Sequence, residues 1–178
     1  LRHRRPAPGV RHRRHRMNHA INSAAASRTD PPPTVVETVD TTYLETLVGY
    51  NARRAALTVI GQFVPRMAEY GLRPVDFSIL SVIRHNPGVT SRQLCDVLSL
   101  LPPNLVGKIA GMEKRGLLLR RPHPLDGRAL GLHLSEAGRQ LMDQAENTAF
   151  ELEKDAAGAL TAAERKTLIR LLQKVYRP

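Results

Sequence analysis

A single cysteine, Cys95, in a chain of 178 residues excludes an internal disulfide framework and any paired-cysteine zinc site. No window holds eighteen consecutive apolar residues, so no membrane-spanning helix is expected. The N-terminus carries positive charge without the apolar run that follows it in a secretory signal, and the expected location is the cytoplasm. A Gly-rich phosphate loop, a His-Glu-x-x-His pair and a nucleophile elbow are all missing. The chain therefore reads as a non-enzyme, with no catalytic residues, no cofactor and no metal. His3, His12 and His15 have metal-ligating side chains but sit in a segment with no frame to hold them.

Acidic residues are scarce at one end. The first sixteen residues contain seven arginines and no acid, within a chain of 27 basic and 16 acidic residues and a net charge of +11. Removing those seven from the 27 leaves 20 basic residues against 16 acidic ones, a surplus of four. Most of the basicity belongs to this tail, so the rest of the chain would bind nucleic acid through the placement of charge, not its total. Residues 1–33 are rich in arginine, histidine, alanine and proline without periodicity and are expected to be disordered. Two readings of the tail stay open. It could lie along phosphates as a basic arm, or residues 1–16 could be an extension upstream of the natural start, since the first methionine is Met17. The length suits one domain of ordinary size plus this tail.

The pattern from Thr90 to Gly138 is the most specific one present. Thr90 stands three residues before Gln93 and can close a capping box over a helix start. The helix should run Ser91 to Leu98, with Leu94, Val97 and Leu98 as its apolar stripe. A second helix should begin at Pro102-Pro103, where a missing N–H costs nothing, which makes Leu98–Leu101 the turn. Its buried face is Leu105, Ile109 and Met112, leaving Asn104 and Lys108 outward, and Gly116 ends it in the left-handed conformation. Beyond it, Leu130, Leu132 and Leu134 alternate as in a half-buried strand, with Leu117–Arg121 as partner. The segment Arg121–Arg128 between them, with two prolines and Asp126-Gly127, should be an exposed basic loop. A helix, a turn, a second helix and a basic hairpin in that order make a DNA-reading device.

A long helical pattern covers Thr41 to about Met67, with Pro65 expected to kink or end it. A helix through Phe77, Leu80 and Ile83 follows Pro74. Ser135 caps a helix with Met142, Ala145, Ala149 and Leu152 on one face. Thr161 and Glu164 form a capping box for a terminal helix with Leu168, Leu171, Leu172 and Val175 as its stripe. Packed alone on a small domain, such outer helices leave one side wet; Leu44, Leu47, Leu168, Leu172 and Val175 could instead be covered by a twin subunit. The alternative is packing within the one chain.

The strings Met112-Glu113-Lys114-Arg115-Gly116-Leu117, Arg120-Arg121, Asp126-Gly127-Arg128 and Leu134-Ser135-Glu136-Ala137-Gly138 resemble the MarR family of bacterial transcription regulators. That family typically shows LEKRGL, an arginine, DxR and LT-x-x-G in this order. The resemblance spans roughly Leu44 to the end of the chain. It implies a mainly α fold with a small β wing, a winged helix-turn-helix over about 73–134, and dimerisation helices over about 41–67 and 135–176 within a domain of 41–178. It implies a homodimer on pseudo-palindromic double-stranded DNA, acting as a repressor that responds to a small aromatic or anionic effector. Gly127 stands where the family often has arginine, and Val106 and Gly107 stand where a hydroxyl residue and an arginine are common.

In this frame Pro102, Pro103, Asn104 and Lys108 face the major groove, Asn104 able to bond adenine and the prolines able only to press on methyl or sugar carbons. Thr90, Ser91 and Arg92 suit phosphate contacts, with a solvated charge as the alternative for Arg92. Arg128 is the candidate minor-groove probe, Asp126 its partner or plain turn chemistry, and Arg120, Arg121 and His123 line the backbone. Effector candidates from helices bordering the expected cleft are Tyr50, Arg53, Phe63, Tyr70, Phe77 and His85, although aromatic residues at helical spacing more often form core. Cys95 reads as a buried, inert packing residue. The rival function is a winged-helix interaction module, or one that binds DNA without sequence preference or effector.

Overall fold

The computed structural model describes residues 35–123 and 126–177, and between 123 and 128 the strand backbone alone. The chain divides into Leu1–Val39 and Asp40–Pro178, and the architecture below is that of the second unit. The expected disordered tail, 1–33, lies outside the described residues.

In place of one helix from Thr41, a short α1 (Thr42–Glu45) precedes α2 (Val48–Met67). Leu47 between them is extended at φ −93° and ψ 128°, while the Asn51 side chain donates to the carbonyls of Glu45 and Leu47 at 2.8 Å each, bridging the break. Pro65 does not stop α2, because proline disrupts the turn before it and Met67 follows within the same turn. The chain leaves through a 3-10 turn, Ala68–Tyr70, and Gly71 at φ +60°. Helix α3 (Pro74–His85) buries Ile79, Leu80 and Ile83.

Helix α4 (Ser91–Leu98) is capped as its sequence predicts: Thr90 Oγ1 accepts from Gln93 N at 3.3 Å, and Gln93 Oε1 accepts from Thr90 N at 2.9 Å. Leu94 is fully buried, but Val97 is exposed and does not belong to the stripe expected of it. Ser99 closes the helix in the left-handed region at φ +52°, a conformation that side chains seldom adopt outside such caps. Helix α5 (Pro102–Lys114) buries Leu105, Ile109 and Met112. It ends on Gly116 at φ +70°, where Leu117 N donates to Met112 O at 3.0 Å.

Three antiparallel strands, β1 (Val89–Thr90), β2 (Leu118–His123) and β3 (Asp126–Leu134), lie in the order β1-β3-β2. Two features depart from the sequence reading. The hairpin is paired out to His123 and Asp126, so the loop is far shorter than Arg121–Arg128; an irregularity at Pro122/His123 absorbs the proline, which cannot donate to a ladder. The β1 strand, also unexpected, pairs Val89 with Leu132 and Thr90 with Gly131. Gly131 is needed there, since a Cβ would stand 2.7 Å from Gly88 O.

Helix α6 (Glu136–Ala156) starts on Ser135, whose Oγ accepts from Gly138 N at 3.0 Å, and buries Met142, Ala145 and Leu152 against α2 and α3. Met67, Ile79, Leu80, Leu94, Leu105, Leu132 and Met142 thus belong to one core that joins α2, α3 and α6 to the α4–α5 pair and the sheet. Helix α7 (Ala162–Tyr176), capped by Thr161 and Glu164, contributes nothing to it. No residue of α7 or α1 is buried within the chain. Among the described residues no helix is long and apolar enough to cross a membrane.

Candidate nucleic-acid interface

The α5 helix is carried on a frame whose joints are polar. At its C-terminal end Arg115 donates to Gly71 O at 2.9 Å and to Tyr70 O at 2.8 Å, tying α5 to the turn before α3. Glu113 accepts two bonds from Arg120 on β2, at 2.7 and 3.0 Å, which locks the root of the hairpin to the helix. The Arg120 guanidinium holds the Glu113 carboxyl below the usual carboxylate range. The string Glu113-Lys114-Arg115-Gly116 therefore builds the frame through an ion pair, two carbonyl bonds and a left-handed cap. Spacing alone does not show this, because the partners of Glu113 and Arg115 lie on other elements.

Two of the expected DNA-facing cations have partners within the chain. Arg120, 38% exposed, is paired with Glu113. Lys108 is turned back to α3, where its Nζ lies 2.6 Å from Asp76 Oδ1, in a pair whose side chains are 31% and 17% exposed. The helical position of Lys108, on the flank nearest the buried face, brings it to Asp76 before it can reach outward. Lys108→Ala is accordingly expected to leave a mostly buried carboxylate without its ion partner and cost about 1 kcal/mol. The salt dependence of DNA binding should stay unchanged. A fall in the log–log salt slope by about one contact would instead place Lys108 on a phosphate.

Pro102, Pro103 and Asn104 do stand exposed at the start of α5, with Val106 next to them. Arg92 is exposed on the first turn of α4 and has no ion pair among the described residues; Ser91 and Thr90 are half-buried beside it. An apolar cleft between α4 and α5 connects them, lined by Ser91, Arg92, Cys95, Leu101, Pro102 and Val106 among others. Cys95 is half-buried on this cleft, not fully enclosed. On the other side of the sheet, Arg121 is exposed and borders a second cleft with Arg84, His133 and Arg139. The side chains of His123, Asp126 and Arg128 lie outside the described residues.

Of the six effector candidates the structure brings Phe63, Tyr70 and Phe77 to the same core. Phe63 is buried and meets Phe77 edge-on at 5.5 Å, so both serve the core. Tyr70 is half-buried, and its hydroxyl bonds Thr148 Oγ1 at 2.9 Å. His85 is exposed and lies 3.1 Å from Glu146. Tyr50 and Arg53 remain on α2, half-buried and exposed. Neither cleft described above is lined by any of the six.

The α7 and α1 helices show what their amphipathic stripes imply. Leu168, Ile169, Leu171, Leu172, Val175 and Tyr176 are all exposed, as are Leu44 and Leu47. An apolar face of this extent is left uncovered by the chain's own packing.

Residues 70–129 match the MarR family. A protein of Thauera aromatica, described as a transcriptional regulator for the hcr operon, is 30% identical over 131 residues, 73% of this chain and 79% of that one. Among solved structures, the transcriptional repressor CouR bound to a 23-mer DNA duplex superposes with a TM-score of 0.72 at 30% identity, covering 79% of this chain and 99% of that one. CouR from Rhodococcus jostii RHA1 bound to p-coumaroyl-CoA gives a TM-score of 0.69 at 26% identity, covering 76% and 95%.

Proposed function

The chain belongs to the MarR family of transcription regulators, and from that premise we propose that it is a homodimeric repressor that reads a pseudo-palindromic DNA site and is released by an aromatic acid or its thioester. The observation that carries this is that packing and polar bonds tie α4, α5 and the hairpin to one frame, while the chain leaves the apolar residues of α7 and those around α1 exposed. A frame of this kind holds its reading helix in register. The open faces suit a second copy, because a two-fold dimer presents two reading helices to two half-sites about 34 Å apart. The reaction with DNA is binding alone, and the protein works in the cytoplasm without catalysis.

In this reading α5 enters the major groove with Pro102, Pro103 and Asn104 leading. Thr90, Ser91 and Arg92 hold the flanking phosphates, and Arg121 and His123 follow the backbone along the wing. Arg128 enters the minor groove, with Asp126 bracing the turn. The aromatic effector class is supported by the p-coumaroyl-CoA bound to CouR.

Selection of bound fragments from random DNA, with and without aromatic carboxylates and their thioesters, tests the proposal. Enriched two-fold sites that are released by one of those compounds are the expected result. Equal binding to all sequences would leave only a non-specific winged-helix module. On the selected site, Arg128→Ala is expected to weaken binding about ten-fold or more without unfolding the protein. Wild-type affinity for that variant at about 0.15 M salt would remove Arg128 from the contact.

A further inference from the structure

The outward side of α5 is short of hydrogen-bond donors. Pro102, Pro103, Val106, Gly107 and Ala110 are exposed and carry none, Lys108 is held by Asp76, and the exposed Lys114 lies in the last turn, far from the leading end of the helix. Asn104 is the one side-chain amide on the helix. Val106 is 64% exposed, and the neighbouring Leu101 is 69% exposed. Both border the α4–α5 cleft that also holds Ser91 and Arg92, the residues placed on phosphates above. An apolar edge therefore lies on the side of the helix pair that faces DNA, where a reading helix usually carries polar groups.

Gly107 adds a second observation. A Cβ there would meet nothing within 4 Å, so the fold does not require glycine, although glycine weakens a helix relative to alanine. What the missing side chain permits is closer approach of the helix backbone to a surface outside the chain. Such an approach brings Val106 to the edge of the base pairs. In the major groove the apolar feature there is the C5 methyl group of thymine.

Resting on the DNA-reading role assigned to α5, we propose that this protein reads its half-site mainly through apolar contact of Val106, with Pro103 beside it, on thymine methyl groups. Val106 is the specificity-determining residue, and Asn104 supplies the remaining polar contact. Water leaves both apolar surfaces on docking, and a base without the methyl group forfeits that gain.

The test replaces thymine by uracil, one position at a time, in the duplex that selection yields. Uracil keeps the pairing edge and the O4 acceptor and lacks only the methyl group. Full-length protein is expected to bind about three- to five-fold more weakly at one or two positions of each half-site, the worth of one buried methyl. With Val106→Ala, whose side chain is exposed and whose fold circular dichroism can check, the thymine-to-uracil ratio should fall close to one. With Asn104→Ala it should persist. Equal affinity of the wild-type protein for thymine and uracil at every position, with preference over a scrambled site retained, overturns methyl reading and leaves the regulator intact. An undiminished ratio in Val106→Ala removes Val106 from the role. If no duplex is preferred over competitor DNA, the regulator reading itself fails, and this one with it.

Discussion

Replacing Leu172 by glutamate is expected to give a folded monomer that binds the two-half-site operator about a hundred-fold or more weakly than the wild-type protein. In the single chain the change touches little, because Leu172 is 38% exposed and no residue of α7 is buried. Exposed substitutions of this kind cost at most about 0.5 kcal/mol of monomer stability. In the proposed dimer the same carboxylate would be forced into the apolar surface to which Leu168, Val175, Leu44 and Leu47 are assigned, where no cation is supplied by those residues. Loss of the dimer turns one bivalent binding event into two independent ones, and bivalency is worth about 100- to 10,000-fold. Sedimentation velocity would follow the oligomeric state and gel shift the affinity. A Leu172→Glu variant that remained dimeric with full affinity would place the interface elsewhere.

Gly138→Ala is expected to destabilise the fold by about 3 kcal/mol or more, since overpacking at an unyielding contact reaches the upper end of its usual range. The added Cβ would stand 2.0 Å from the carbonyl oxygen of Leu117 and 3.0 Å from its carbon. That carbonyl has little room to retreat. It already accepts from Ser135 N at 3.0 Å, and Ser135 Oγ donates to Gly116 O at 2.6 Å while capping Gly138 N. The clash thus falls on the joint where α6 rests on the turn between α5 and β2. Thermal unfolding should show a midpoint about 10 °C lower. Gly107→Ala is the control: with nothing near its Cβ, it should leave stability unchanged or raise it by up to about 1 kcal/mol. Equal midpoints for Gly138→Ala and wild type would mean that α6 does not make this close approach.

Local elements were legible because their causes are local. Thr90 with Gln93, Thr161 with Glu164, Ser135 before Glu136, Pro102-Pro103 and Gly116 each act within one turn of chain, and the helix ends they mark lie where the sequence puts them. The break at Leu47 is not legible in the sequence, because no proline marks it and the nearby Gly49 lies inside α2; it depends on Asn51 reaching back to two carbonyls. The β1 strand escaped for a related reason. Two residues carry no alternation to read, and their partners, Leu132 and Gly131, lie some forty positions away.

Charge was the least legible property. Lys108 and Arg120 look like free cations on a DNA-facing motif, yet each has a carboxylate from another element within hydrogen-bond distance. Phe63 and Phe77 look like a cleft and are a core pair. In each case the deciding partner is brought in by packing across the chain, which no pattern within one helix reports.

By itself the sequence determined the order of elements, the buried stripes of α3, α5 and α6, the basic character of the hairpin and the family, because caps, periods and motif spacing are written along the chain. Only the tertiary structure decided which charges are spent on the frame, why Gly138 and Gly131 must be glycine, and that the exposed start of α5 is mostly apolar. These depend on distances between segments far apart in sequence, and a side chain's partner is chosen by the surface that packing brings to it.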